Sequence, residues 1–206
     1  MLSANAIVNL HGHLTRIWHM ESESAGTKPS SDADWLDSVA RQHRANFELW
    51  HIEDEARNPG ATDAELAGVK RRIDRTNQLR NDLAEQLDRQ LIEWLASQGL
   101  PIAGAPLHSE SPGLMIDRLS ILALKIYHTR EETERPNAAP AHMARNRERL
   151  AILTEQRDDL AGCLETLWRE TLAGTRRFKL YLQLKMYNDP SLNPSIYRHP
   201  PGEAGP

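Results

Sequence analysis

Residues 58–101, NPGATDAELAGVKRRIDRTNQLRNDLAEQLDRQLIEWLASQGLP, decide the fold class. Asn58, Pro59 and Gly60 form a stop signal, and Thr62 stands where a helix N-cap belongs. From there Leu66, Val69, Ile73, Leu83, Leu87, Leu91 and Trp94 recur at helical spacing until Gly99 and Pro101 end the run. Upstream, the same periodicity predicts a helix from about Asp34 to Arg57, so the two are expected to form a long antiparallel helix hairpin.

Working outward, Ile7, Leu10, Leu14, Ile17 and Trp18 predict a first short helix. The stretch ESESAGTKPSSDAD (21–34) follows as a flexible linker punctuated by Gly26 and Pro29. Past the loop 98–109, Ser111-Pro112 has the pattern of an N-cap with proline at the first helical position, opening a fourth helix that runs to about Glu134. Pro136 and Pro140 break the chain before a fifth helix carrying Leu150, Leu153, Leu160, Leu164, Leu167 and Trp168, which Gly174 interrupts. A sixth is expected over Phe178 to Tyr187. No alternating run suggests a strand. The expectation is an all-α, single-domain helical bundle of about six helices over residues 1–194, with residues 195–206, rich in proline and glycine, as a disordered C-terminal tail.

A chain of 206 residues that is 39% hydrophobic and 26% charged has globular composition. Its net charge of −4 supplies no basic field for nucleic acid or an acidic membrane, so neither is expected as a partner. Cys163 is the only cysteine, which rules out an intrachain disulfide and a cysteine-built metal site. The start, MLSANAIVNLHGHLTRIWHM, lacks the basic and apolar regions of a signal peptide, and no window approaches a membrane span. A cytoplasmic location is the expectation.

Polar residues on inward stripes mark the candidate sites. On helix two, His43, Asn46, Asp54 and Arg57 share the stripe of Val39, Phe47 and Trp50. On helix three, Asn77 and Arg80 share a stripe with Ile73, flanked by Asp74, Asn81 and Asp82. The fourth helix, DRLSILALKIYH, is apolar nearly all round yet contains Asp117, Arg118, Lys125 and His128. Buried polar groups need partners. Such networks often serve only to fix helix register. They also suit a ligand site, in which Arg118 and Lys125, two turns apart, would hold an acidic or phosphorylated group. Near the chain's end, Lys185, Tyr187, Asn188 and Asp189 precede Pro190, a pattern that a helix-ending turn explains by itself.

Specific chemistries narrow the field. Glu48-x-x-His51 has the spacing of helical di-iron sites, but the second copy such sites require is missing. Glu53, Asp54, Asp74 and Asp82 invite comparison with a Mg-dependent all-α nucleotide pyrophosphohydrolase. Pairing the helices about Gly60 would set Asp54 near Leu66 and Asp74 near Asn46, which separates these carboxylates. There is no glycine-rich phosphate loop and no nucleophile elbow.

The stretches NFELWHIEDEAR, VKRRIDRTNQLRND, HSESPGLMIDRLSILALKIYH, QRDDLAGCL and LKMYNDPSLNP, spanning about Asn46 to Pro194, resemble a bacterial family known as domain of unknown function 4254. Ser109-Glu110-Ser111-Pro112 stands where that family is expected to have a threonine-rich loop, a departure that keeps the capping hydroxyls. The resemblance implies a helical, cytoplasmic, bacterial protein with a loose link to glycosyl transfer in cell-envelope glycan synthesis, and brings no established activity.

The leading expectation is a polar pocket between helices two, three and four that binds a phosphorylated or sugar-nucleotide ligand. Arg57, Asn77, Arg80, Arg118, Lys125, Tyr187 and Asn188 are its candidate contacts, and His128 and Asp117 its candidate catalytic groups. His51, Glu53, Asp54, Asp74 and Asp82 are the candidate metal ligands, with Mg as the expected ion. The alternatives are the pyrophosphohydrolase and a non-catalytic adaptor or homodimer.

Overall fold

The computed structural model describes residues 2–21, 35–184, 189 and 191–198. The expected linker 21–34 lies outside the described residues except for Glu21, as do 199–206 of the expected tail. Five long helices make up the fold: α1 (Ala4–Glu21), α2 (Trp35–Glu55), α3 (Asp63–Ser97), α4 (Pro112–Glu134) and α5 (Pro140–Leu172). A single turn, α6 (Pro194–Tyr197), follows within a segment expected to be non-helical. Among the described residues there is no strand beyond one isolated bridge between Leu107 and Arg177.

The helix ends follow from local chemistry. Thr62 caps α3 through a reciprocal box, in which its hydroxyl accepts from Glu65 N and its own N–H donates to Glu65 Oε2. Gly99 and Gly174, with φ of 71° and 72°, take the left-handed conformation that ends α3 and α5. The sixth helix expected over Phe178 to Tyr187 is absent from its described part. Residues 178–184 are irregular, and Lys185 to Asn188 lie outside the described residues. The backbone here finds other partners: Arg177 N donates to Pro106 O at 3.0 Å, His108 N to Arg177 O at 2.7 Å, and Gln183 N to Glu85 Oε1 at 2.8 Å. Phe178 is buried in the core, so burial and loop pairing override the helical periodicity.

α4 is the central element, packed against each of the other four long helices. Along α1, α2 and α4 the layers occur in the same order. Ile7, Val39 and Met115 enter the apolar core first; polar residues follow; histidines come last. α3 and α5 run the other way, delivering Leu87, Leu91, Leu95, Leu164 and Leu167 to that core near their C-terminal ends. Ser38 accepts from Gln90 and Glu55 from Arg72, so α2 and α3 lie in opposite directions. These pairs correct the register inferred from a turn centred on Gly60. The chain continues through Ala61 and Thr62 before α3 starts, which brings the region of Asp54 opposite that of Asp74, about two turns from the expected offset.

The start of α4 is docked on α3 by close approach. Ser111 is the N-cap but makes no side-chain cap; its hydroxyl instead donates to Asp88 Oδ2, while Gly113 N donates to Asp88 Oδ1 at 2.7 Å. The Asp88 carboxylate thus caps a neighbouring helix. A Cβ at position 113 would collide with the Ala84 carbonyl oxygen and sit 2.9 Å from Asp88 Cγ. Burial pushes the Asp88 carboxyl up to about 6, against the opposing pull of its two hydrogen bonds.

Gly113→Ala should therefore destabilise the fold by about 1–3 kcal/mol in urea unfolding, the usual cost of overpacking. Asp88 also sets a pH dependence. Its folded carboxyl stays protonated at higher pH than the unfolded one, so its contribution to stability is present below the unfolded value and lost as pH rises through about 6. On the order of 3 kcal/mol is at stake. Asp88→Asn, which can still donate to Ser111 and accept from Gly113, should remove this part of the decline when unfolding is compared across pH 4 to 7.

Candidate functional site

A buried polar relay crosses the bundle at mid-height. Asp117 on α4 receives Arg80 from α3 in a two-pronged pair, Nε to Oδ1 at 2.8 Å and Nη2 to Oδ2 at 2.6 Å. Gln42 Nε2 and Asn46 Nδ2 from α2 also donate to Oδ1. Asn46 reaches on to the Ser120 hydroxyl at 2.9 Å, Ser120 Oγ lies 2.7 Å from His43 Nδ1, and His43 Nε2 lies 2.9 Å from Thr15 Oγ1. The Thr15 hydroxyl donates to the His11 carbonyl, so Thr15 must accept from His43 Nε2–H and Ser120 must donate to His43 Nδ1. That assigns one neutral tautomer to His43. Burial holds its pKa down at about 3, consistent with an uncharged ring.

Above this layer, His19 from α1, His51 from α2 and His128 from α4 converge. One ring nitrogen of each lies within 4.8 Å of the others, and all three rings are partly buried. Each lies beyond the relay along its own helix: His51 two turns past His43, His128 two turns past Ser120, and His19 one turn past Thr15. Their orientation is fixed by neighbours. His19 Nδ1 meets the Thr15 carbonyl at 2.7 Å and His128 Nδ1 meets Glu131 Oε2 at 2.8 Å, so each ring donates from Nδ1. His128 Nε2 is buried with no hydrogen-bond partner among the described residues. Trp50 stacks on His128 at 4.9 Å and Tyr127 on His19 at 4.2 Å, while Phe47 packs edge-on against His19 and His51. Burial lowers the pKa of His19 and of His51; repulsion from His128 lowers both further, and His19 adds to the effect on His51. Both rings are therefore biased toward the neutral, ligating form.

The structure brings only part of the expected site together. Asp117 and Arg80 meet, and Asn77 Oδ1 accepts from Arg80 at 3.3 Å. His51 and His128 meet, joined by His19, which the sequence analysis did not single out. Arg57, Arg118 and Lys125 are exposed; Arg57 pairs with Glu53 on its own helix and Arg118 with Glu110. Asp74 pairs with Lys70 and Asp82 accepts from Gln78, each within one helix. Asp54 is exposed. Tyr187 and Asn188 lie outside the described residues, and Asp189 closes a local turn through Ser191 N at 2.8 Å. Gln42, Ser120, Thr15, His11 and His19 were missed. The spacing of His11, Thr15 and His19, each four residues from the next, puts one polar line on α1 and was the available signal.

The family DUF4254, described as a protein of unknown function, matches residues 36–180, and the chain belongs to it. His51 and His128 fall within the matched region and His19 before it. No curated protein and no solved structure matches the chain. No helix of the described residues is long and apolar enough to cross a membrane.

The relay and the surface charges should separate cleanly on mutation. Asp117→Ala leaves Arg80 half-buried without its partner and should cost roughly 3–5 kcal/mol in chemical unfolding. Arg118→Ala removes an arginine whose side chain is 56% exposed and should cost under about 1 kcal/mol.

Proposed function

We propose that this DUF4254 protein binds one divalent transition metal through Nε2 of His19, His51 and His128, with a coordination position left open for water or a substrate. The observation that carries the reading is the convergence of three imidazoles from three helices, two of them with Nδ1 committed to a carbonyl or carboxylate. Metal-bound histidines are oriented by such outer contacts, and three protein nitrogens with an open fourth position is the arrangement of catalytic zinc sites. Closing onto Zn–N bonds of about 2.0–2.1 Å asks each ring to move by at most about an ångström.

Imidazole nitrogen suits Zn²⁺, Fe²⁺, Ni²⁺ or Cu²⁺ and not the Mg²⁺ of the pyrophosphohydrolase alternative. Among the described residues no group of three carboxylates lies close enough to hold an ion. A metal here would act as a Lewis acid and lower the pKa of a bound water. The chain's own contribution is to hold three imidazole rings in place and to pack Trp50, Phe47 and Tyr127 around them. The free Cys163 is exposed and suits a reducing compartment such as the cytoplasm.

Calorimetric titration of chelator-treated protein should give one Zn²⁺ per chain, with affinity falling as pH drops and the imidazoles protonate. His51→Gln and His128→Gln should abolish this binding while leaving the helical circular-dichroism spectrum intact. Glu131→Gln, which weakens the outer contact to His128, should lower affinity by about 10–100-fold. Unchanged affinity in both histidine variants would show that the cluster is only an aromatic contact.

A further inference from the structure

A second site lies between α1, α4 and α5. A cavity of about 200 Å³ is lined by three arginines, Arg16, Arg130 and Arg157, and by no carboxylate among the described residues, in a chain where Asp and Glu outnumber Lys and Arg by 29 to 25. No ion pair among the described residues engages Arg16 or Arg130; Arg157 pairs with its neighbour Asp158, which does not line the cavity. His11 also lines it. Its ring is fully buried, stacks on His43 at 4.5 Å, and has neither nitrogen hydrogen-bonded among the described residues. Both ring nitrogens are sealed from solvent, so His11 forms part of the cavity's floor rather than a contact for a ligand.

We propose that this cavity binds the phosphate group of a small phosphorylated ligand, held by Arg16, Arg130 and Arg157. The charge count selects phosphate over a lone carboxylate: one guanidinium suffices for a monoanion, whereas three guanidinium forks on one cavity match a dianion with several acceptor oxygens. The volume limits the ligand to a small molecule. Gly12, in the middle of α1, borders the same cavity and has no atom within 4 Å of where a Cβ would stand, so a side chain there would start in open space beside the ligand's position. The site is separate from the three-histidine centre, although Tyr127 both lines the cavity and stacks on His19.

The test is calorimetric titration of the full chain at fixed ionic strength, with a chelator present throughout, using inorganic phosphate and glycerol phosphate as probes. The wild type should bind at least one probe saturably. Arg16→Gln combined with Arg130→Gln, and separately Gly12→Leu, should each weaken binding by about tenfold or more. Tighter binding of the ester identifies a phosphorylated metabolite as the ligand, and equal or tighter binding of inorganic phosphate identifies the free anion. No saturable binding of either probe overturns the proposal, as does unchanged affinity in Gly12→Leu, which would place any arginine effect on the open surface. Because metal is chelated, failure here leaves the three-histidine reading standing, and failure of that reading leaves this one standing.

Discussion

The carboxylate of Asp117 is the fixed point of the molecule. It is buried on the central helix and receives hydrogen bonds from Arg80 on α3 and from Gln42 and Asn46 on α2. A buried ion pair adds little net stability compared with apolar packing, but it is unforgiving about geometry, because a shifted register would strand the charge. Apolar side chains tolerate sliding by a turn far better than a two-pronged arginine–carboxylate pair does. The register of three helices is thus specified by one residue, and the path through Ser120, His43 and Thr15 carries that specification to α1.

Function is built on this constraint. Whole turns separate the relay from the histidine layer, so residues aligned at mid-height are followed by residues aligned above it. The same register places the apolar core at the opposite end, where α3 and α5 contribute their leucines. Aromatic rings pack around the histidines, burial depresses the imidazole pKa values of His19 and His51, and Nε2 of His128 has no hydrogen-bond partner among the described residues. The apolar core and the three-histidine layer are kept apart in space: the core supplies the free energy of folding, and the buried relay supplies alignment.

The sequence shows the helical frame because punctuation and periodicity agree. Thr62 and Gly99 bound α3, and Pro112 and Pro140 open α4 and α5. It misleads where a tertiary partner replaces a local one. Phe178 to Leu184 has helical spacing but is irregular, following an Arg177 whose backbone pairs with Pro106 and His108 and holding Gln183 N on the Glu85 carboxylate, and Asn58 to Thr62 shift the α2–α3 register by the length of the connection. The inward-facing Asn46, Arg80 and Asp117 are legible as charged or amide residues on apolar stripes. Ser120 and Thr15 are not, since a hydroxyl on such a stripe raises no alarm until its partner is seen. Arg118 and Lys125 drew attention for the opposite reason: charge near a buried line suggests burial, but both side chains lie on the solvent face of α4. His19 is hard to single out in the sequence because the periodicity of α1 is carried by its leucines and isoleucines.

X-ray absorption spectroscopy of the zinc-loaded protein tests the central claim most directly. Three imidazole nitrogens and one further light atom at about 2.0–2.1 Å, with the multiple-scattering pattern of histidine, is the predicted first shell. A shell containing sulfur, or oxygen alone, would mean that the metal sits elsewhere and that the alignment of His19, His51 and His128 serves packing only.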